Sequence, residues 1–155
     1  MPLQGDELRG FLEEVRLAHW ATIGPDGRPR VRPLWYVYKD GAFWFTTRME
    51  ARRTGADIAA GSSVAVSIAS EERPFRAVLA SGTPKVYEGG DRDAWLERLA
   101  LRYGEREGRF WLREARKEPD RVVLRLVPDK LLAWDYGKGD YRRMQEGGSL
   151  AVELP

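Results

Sequence analysis

The spacing of hydrophobic positions predicts a short helix at the start of the chain. Across residues 3–16, apolar side chains recur three or four positions apart among charged ones: Leu8, Phe11, Leu12 and Val15. Side chains at this spacing lie on one face of an α-helix. The pattern therefore predicts an amphipathic helix with one buried face.

The next segments are rich in strand-forming residues, and two Asp-Gly turns separate them. Strands are predicted over "LAHWATIG", Arg30–Tyr38 and "AFWFT". The turns are "PDGR" and "KDG". An Asp-Gly pair supplies the positive φ angles that a tight hairpin requires. Together these runs predict a three-stranded antiparallel meander.

The rest of the chain adds two helical regions and four further strands. A helix is predicted over Met49–Ala60, with Gly61 as its C-terminal stop. Residues 91–118 have helical composition, and Gly104 and Gly108 divide them into two helices. The further strands are "SVAVSIAS", Phe75–Gly89 with an interruption at 82–84, "RVVLRLVP" and "KLLAWDYG".

These elements predict a single, mainly β domain over residues 1–155. Six to seven antiparallel strands with a few helices favour a small barrel, because closure removes exposed sheet edges. Residues 1–16 form the N-terminal helix of this domain. Residues 138–155 are rich in glycine and charge, and we expect them to be a loosely held tail.

Composition excludes several kinds of catalytic site. The chain has no cysteine and one histidine, His19, which excludes thiolate metal sites, cysteine nucleophiles and paired histidines. Any catalysis is therefore expected to depend on an organic cofactor. His19 lies within an apolar strand, where a buried core histidine is expected rather than a catalyst.

Charge and hydropathy narrow the expected partners. The formal net charge of +2 is small for a dedicated nucleic-acid-binding domain. No apolar run approaches the roughly 20 residues of a membrane span. The N-terminus carries acidic residues where a signal peptide has basic ones. The prediction is a cytoplasmic protein that binds neither nucleic acid nor membrane.

Polar side chains are dense where the third predicted strand gives way to a helix, in "FTTRMEARRTGADI". The group consists of Thr46, Thr47, Arg48, Arg52 and Arg53, with Glu50 as the nearby acid. Hydroxyl groups, guanidinium groups and the unpaired N–H groups of a helix start together suit a phosphate. The alternative is a solvated basic helix face.

A second basic group lies on the second predicted strand. Arg28, Arg30 and Arg32 occupy alternate positions and therefore share one face of that strand. If the following hairpin is tight, Arg30 lies beside Thr46 and the arginine-rich helix start. Two basic groups that are distant in sequence would then form one anion site. Pro33 has no N–H to donate, so this strand is expected at a sheet edge or with a bulge.

One long segment carries a family resemblance: "GPDGRPRVRPLWYVYKDGAFWFTTRMEARRTGADIAAGSSVAVSI". It resembles the first half of the pyridoxamine 5′-phosphate oxidase-like, FMN-binding split-barrel family, and the resemblance continues through "GTPKVYE" to "LLAWDYGK". Members of this family are homodimers with two FMN sites at the subunit interface. The resemblance implies a split β-barrel, a homodimer, and an FMN-dependent oxidoreductase with a small-molecule substrate or a nicotinamide electron donor.

The resemblance also implies which residues contact FMN. Arg30 matches a phosphate contact, and Arg52 and Arg53 match the phosphate clamp of the family. The full set of expected cofactor-binding residues is Arg30, Val31, Arg32, Pro33, Leu34, Trp35, Phe45, Thr46, Thr47, Arg48, Arg52, Arg53 and Trp134. Trp134 is expected to stack on the flavin edge across the dimer interface or to pack in the core. No residue is assigned as a catalytic acid or base.

The chain departs from the family pattern at three positions. Ala51 stands where the clamp has a serine, Arg53 replaces its lysine, and Trp35 stands where pyridoxamine phosphate oxidases have a lysine. A shift of one residue would place Thr54 at the lysine position instead. FMN binding is therefore favoured over vitamin B6 chemistry. Three alternatives remain: a deazaflavin in the same fold, a flavin- or haem-binding module without turnover, and a nucleic-acid binder.

Overall fold

The structure is a computed structural model, and it describes residues 2–138. Almost all of the predicted tail, residues 139–155, lies outside the described residues. The helices are α1 (Gly5–Glu13), α2 (Arg53–Ala59), α3 (Arg92–Arg102) and α4 (Glu105–Ala115). The strands are β1 (Ala18–Ile23), β2 (Pro29–Leu34), β3 (Val37–Lys39), β4 (Ala42–Arg48), β5 (Val64–Ala69), β6 (Arg76–Gly82), β7 (Lys85–Val86), β8 (Arg121–Leu126) and β9 (Lys130–Asp135).

The strands form two antiparallel sheets, which confirms the mainly β prediction. The first sheet has five strands in the order β2-β1-β5-β6-β9, and the second has four in the order β3-β4-β8-β7. β2 lies at an edge of the first sheet, as Pro33 predicted. Within the described part of the chain, no helix is long and apolar enough to cross a membrane.

The prediction of a three-stranded meander was wrong. The segment Arg30–Tyr38 divides into β2 and β3, which belong to different sheets. The backbone N–H of Tyr36 donates to the hydroxyl of Tyr103 at 3.1 Å instead of to a strand partner. The segment Phe75–Gly89 divides in the same way, into β6 and β7. These two divisions account for nine described strands where six to seven were predicted.

The helix predicted over Met49–Ala60 is shorter than expected, because α2 begins only at Arg53. The N–H groups of Glu50 and Ala51 donate to the carboxylate of Asp120 at 3.3 and 3.2 Å, so these residues form a turn. The predicted C-terminal stop is confirmed, since Gly61 has a φ of +83°. The predicted break between two helices in residues 91–118 is also confirmed, and it lies at Gly104.

β4 is buried on both faces and supports the site described below. Phe43 and Phe45 pack in the main core between the sheets, with Trp20 and Leu124 among their neighbours. Trp44 packs on the opposite face, in a second core that α3 and α4 cover. The end of β4 is therefore held firmly from both sides.

The outer face of the five-stranded sheet carries an apolar groove of about 360 Å³. We call the surface that carries this groove the outer sheet face. The residues that line the groove include His19, Ala21, Val31, Ala65, Leu79, Lys130 and Leu132. Val31, Leu79 and Leu132 are 66%, 39% and 49% exposed. The prediction of a buried core histidine was wrong, because His19 is exposed and faces this groove in the single chain.

Candidate functional site

Three arginines gather around one buried aspartate, and we call this group the arginine pocket: Arg30, Arg32, Arg53 and Asp57. Nη1 of Arg30 lies 3.5 Å from Oδ1 of Asp57, whose side chain is 1% exposed. The hydroxyl of Thr22 donates to Oδ2 of Asp57 at 2.7 Å. Thr22 is the cross-strand partner of Arg30, so β1, β2 and α2 meet at this point.

The arginine pocket has an excess of positive charge. Three guanidinium groups and one carboxylate sum to two positive charges, although only Arg30 lies within ion-pair distance of Asp57. Burial lowers the pKa of Arg32; Asp57 opposes this effect, and the charges of Arg30 and Arg53 add to it. Nε of Arg32 is buried and has no hydrogen-bond partner among residues 2–138. The arrangement therefore suits an anion that carries about two negative charges.

The two basic groups converge, but not by the predicted route. β2 does not pair with β4, so the hairpin does not bring Arg30 beside Thr46. Arg30 instead meets α2 across β1, through Thr22 and Asp57. Sequence reasoning missed the role of Asp57. The available signal was its position four residues after Arg53 on a helix.

A second part of the site is a cavity of about 220 Å³ at the other end of β2. We call it the aromatic cavity, and it is lined by Pro33, Leu34, Trp35, Thr46, Trp111 and Arg121. It joins the edge of one sheet to the end of β4 in the other. Arg30 and Leu34 are four residues apart along β2, or roughly 13 Å. A ligand with a charged end, a flexible spacer and a flat ring can span this distance.

Trp35 is held in place by other aromatic side chains. Its ring stacks on Tyr103 with centroids 5.1 Å apart, and Trp111 meets it edge-on at 5.3 Å. The hydroxyl of Tyr103 donates to the carbonyl oxygen of Arg16 at 2.6 Å. Burial raises the pKa of Tyr103, which keeps this hydroxyl protonated. The wall of the cavity is therefore neutral and preorganised here.

Arg121 brings a guanidinium group to the wall of the aromatic cavity. Its Nη1 donates to Oγ1 of Thr46 at 3.3 Å, and its guanidinium carbon lies 5.0 Å from the ring centroid of Trp111. It is also paired with Glu118. Thr46 in turn donates to the carbonyl oxygen of Val122 at 2.8 Å. Sequence reasoning missed both Trp111 and Arg121.

Arg48 lies outside the arginine pocket, although it was predicted to bind the cofactor. Its Nε donates to Oδ1 of Asp120 at 2.9 Å, and its Nη1 lies 3.4 Å from Glu118. Since Asp120 also accepts the N–H groups of Glu50 and Ala51, it ties the end of β4 to the turn before α2. The contacts of Arg48 support the fold.

The remaining predicted residues are spread over other parts of the molecule. Phe45 is fully buried in the main core, with its ring centroid 4.5 Å from that of Trp20. Thr47 is also buried, and Val31 lies on the outer sheet face. Trp134 lies on β9, four strand spacings or roughly 19 Å from β2. Within one chain, these four residues do not line the arginine pocket or the aromatic cavity.

Arg52 has a position of its own. It is exposed, as Arg53 also is, but it has an extended backbone (φ −129°, ψ 141°) and directly precedes α2. Arg53, the first residue of α2, lies close enough for its charge to act on Arg32. The structure therefore associates Arg53 more directly than Arg52 with the arginine pocket.

Replacing Asp120 by asparagine is expected to reduce the acid sensitivity of the protein. Burial alone would raise the pKa of Asp120, but hydrogen bonds from Arg48 and from the N–H groups of Ala51 and Glu50 outweigh it and lower the pKa. A lowered pKa means that the stabilisation is complete above the unfolded-state pKa and is lost as the pH falls through the folded-state pKa.

Urea unfolding at pH 7 and pH 3 measures this effect. Asp120→Asn should be less stable than the wild type at pH 7, and it should lose less stability between the two pH values. An identical loss in both proteins would contradict the role of Asp120. Asp26→Asn in the exposed turn before β2 is the control.

Comparisons with known proteins agree with this architecture. The chain matches the sequence model of the pyridoxamine 5′-phosphate oxidase family over residues 5–135. A search of curated proteins by sequence gave no match.

Solved structures share the fold. A conserved hypothetical protein from Mycobacterium tuberculosis superposes with a TM-score of 0.70 at 22% identity, covering 97% of this chain and 92% of that one. An F420 reductase superposes with a TM-score of 0.61 at 24% identity, covering 79% of this chain and 94% of that one. An FAD- and haem-binding protein from Mycobacterium smegmatis superposes with a TM-score of 0.65 at 19% identity, covering 95% of this chain and 80% of that one.

The family match includes both sheets, the arginine pocket and the aromatic cavity. At these identities the structural likenesses show the fold, and the sequence match shows the family. The chain therefore belongs to the pyridoxamine 5′-phosphate oxidase family.

Proposed function

We propose that the protein is an FMN-dependent oxidoreductase whose arginine pocket holds the phosphate and whose aromatic cavity holds the ring. The observation that carries the proposal is that both parts lie along one edge strand, β2, roughly 13 Å apart. FMN has a phosphate at one end of a ribityl chain and a flat ring system at the other. The site has the matching order of charge, spacer length and aromatic wall.

The arginine pocket fits a phosphate monoester in charge and in donors. A phosphate monoester carries roughly −1.5 to −2 at neutral pH, and the pocket has an excess of two positive charges. The buried Nε of Arg32 has no partner among the described residues, and a phosphate oxygen would supply one. Arg30, Arg32 and Arg53 would therefore bind the phosphate.

The aromatic cavity fits the ring. Trp35 and Trp111 offer aromatic surface, and the edge position of β2 leaves backbone groups available to a polar heterocycle. When bound, a flavin accepts and donates hydride. The residues of this chain would orient the ring, exclude water from it and place the guanidinium group of Arg121, paired with Glu118, beside it. A nicotinamide or another small molecule would be the second reactant.

A homodimer is part of the proposal. Members of the family are commonly dimeric, and the outer sheet face exposes apolar side chains that a second copy would cover. In such a dimer, Trp134 could reach the site of the other subunit, which it does not reach within its own chain.

Two alternatives keep the same fold, and each has a structural relative that favours it. One relative is an F420 reductase, which favours a deazaflavin. Another binds FAD and haem, which favours a module without turnover. The visible spectrum of the purified protein separates these ligands, because oxidised flavins, deazaflavins and haem absorb differently.

The same preparation tests the proposed activity. Titration with FMN, F420 and haemin should give the tightest binding for FMN, and NADPH or NADH should bleach the bound flavin. Tighter binding of F420 or of haemin would contradict the choice of FMN. Tight binding of FMN without reduction by either nicotinamide would contradict the proposed electron donor.

Replacing Trp111 by alanine is expected to weaken the binding of FMN and of riboflavin equally, by roughly two- to tenfold. An aromatic contact contributes about 0.5–1.5 kcal/mol beyond area burial, and 1.4 kcal/mol is a factor of about ten. Quenching of flavin fluorescence gives both dissociation constants. The control is Phe110→Ala, since Phe110 is the neighbouring residue on α4 and is 65% exposed. A loss of affinity for FMN alone would contradict the assignment of Trp111 to the ring site.

A further inference from the structure

The guanidinium group of Arg30 lies directly over Gly24. A Cβ atom at position 24 would lie 2.6 Å from both Nε and Nη2 of Arg30 and 2.8 Å from its Cζ. These distances are shorter than van der Waals contact allows. Any side chain at position 24 would therefore displace the end of Arg30.

The backbone of Gly24 is fixed by the turn that follows it. The N–H of Gly24 donates to the carbonyl oxygen of Arg28 at 2.9 Å, and the N–H of Gly27 donates to the carbonyl oxygen of Gly24 at 2.9 Å. Both the N–H and the carbonyl group of Gly24 therefore form hydrogen bonds within the β1–β2 connection. Gly24 is buried, so it forms a rigid surface under Arg30.

Asp57 lies on another side of Arg30, and it does not form a hydrogen bond with the N–H groups of Arg30. Oδ1 of Asp57 lies 3.5 Å from Nη1 of Arg30 and has no hydrogen-bond partner within residues 2–138. In that same part of the chain, the Arg30 side chain makes no hydrogen bond. A purely structural ion pair would be expected to close to hydrogen-bonding distance. Here Asp57 holds the charge of Arg30 in place, while the N–H groups of Arg30 stay available to a ligand.

We propose that Gly24 is a positioning residue: it lets Arg30 rest between β1 and Asp57, and it thereby decides whether the pocket accepts phosphorylated flavins. The inference rests on the proposed function, because it assigns the phosphate to Arg30. A side chain at position 24 would move Arg30 and leave the aromatic cavity unchanged. Binding of the phosphate would be lost, and binding of the ring would be kept.

The test compares three ligands on Gly24→Ala: FMN, riboflavin and inorganic phosphate. Calorimetry should show FMN and inorganic phosphate weakened by about tenfold or more, as for the loss of a charged hydrogen bond. Riboflavin should be unchanged. The fold should tolerate the substitution, since the displaced atoms are the far end of a flexible side chain. Gly10→Ala on α1 is the matched control, because a Cβ there meets nothing within 4 Å.

A double-mutant cycle shows whether Gly24 acts through Arg30. In the Arg30→Ala background, Gly24→Ala should cause no further loss of FMN affinity. Equal weakening of FMN and riboflavin, or full additivity in the double variant, would overturn the proposal and make Gly24 a general structural residue.

The wild-type ligands separate failure of this inference from failure of the proposed function. If the protein binds inorganic phosphate but neither flavin, the flavin proposal fails, and the phosphate measurement on Gly24→Ala still decides the role of Gly24. If it binds FMN and riboflavin equally and phosphate not at all, flavin binding survives and the role of Gly24 is overturned.

Discussion

Replacing Arg30 or Arg53 by alanine is expected to lower the affinity for FMN by about ten- to a hundred-fold and to leave the affinity for riboflavin unchanged. Riboflavin has the same ring and ribityl chain but no phosphate. Loss of a hydrogen bond to a charged group costs about 1.5–3 kcal/mol, which corresponds to this range of affinities. Fluorescence titration with both ligands gives the ratio directly.

Two controls make this result specific. Arg28→Ala removes an exposed arginine just before β2, and it should change neither affinity. Arg48→Ala should lower the thermal stability, because Arg48 is bound to Asp120, and should leave the ratio of the two affinities unchanged. If Arg30→Ala and Arg53→Ala weakened both flavins equally, the arginine pocket would not be the phosphate site.

Replacing Leu132 by aspartate is expected to convert the proposed homodimer into monomers. Leu132 is 49% exposed on the outer sheet face of the single chain, so the fold can accept the charge. In a two-fold symmetric interface the substitution occurs twice. A buried, unpaired charge costs about 3–5 kcal/mol. Two such charges should raise the dimer dissociation constant by roughly four orders of magnitude or more.

Analytical ultracentrifugation over a range of concentrations measures this change, and circular dichroism checks that the variant is folded. Phe110→Asp is the matched control, because Phe110 is exposed on α4 and is not part of the outer sheet face. A folded Leu132→Asp variant that remains dimeric would place the interface elsewhere. If the site needs both subunits, the monomeric variant should also lose flavin affinity.

Local sequence signals were sufficient where structure is decided locally. The Asp-Gly turn before β4 gives Asp40 and Gly41 positive φ angles of 54° and 72°, as its residue types require. Pro33 correctly predicted an edge strand, because a missing N–H excludes the centre of a sheet. The break at Gly104 also followed from residue type, since its φ is +130°.

The interruption of Phe75–Gly89 at residues 82–84 was predicted, but the change of sheet within the two divided strands could not be predicted in this way. Alternation shows that a segment is extended, but not which sheet each half joins. At the change of sheet after Leu34, the N–H of Tyr36 donates to Tyr103, which lies 67 residues away in sequence. The same limit applies to the aromatic cavity. Arg121 meets Thr46 across a separation of 75 residues, and no local pattern reports that contact.

The arginine pocket was predictable in part. The density of arginines in two short segments predicted that the two segments converge, and both contribute arginines to the pocket. Local reasoning named Glu50 as the acid near the arginines at the start of α2, whereas the acid of the pocket in the structure is Asp57, which is paired with Arg30. The difference is one of burial: Glu50 is exposed, and Asp57 is 2% exposed. Burial of a single acid depends on tertiary packing, which the sequence pattern does not express.

The long-range pairing of β4 with β8 sets the order in which the site is assembled during synthesis. β4 pairs with β8 from Phe43↔Leu126 to Arg48↔Arg121. A nascent chain that has emerged only as far as α4 already contains Arg30, Arg32, Arg53 and Asp57. It still lacks Arg121 and the strand that completes the sheet around Thr46. The residues of the arginine pocket therefore leave the exit tunnel before those of the aromatic cavity, whose wall can close only after Arg121 and the rest of β8 have emerged.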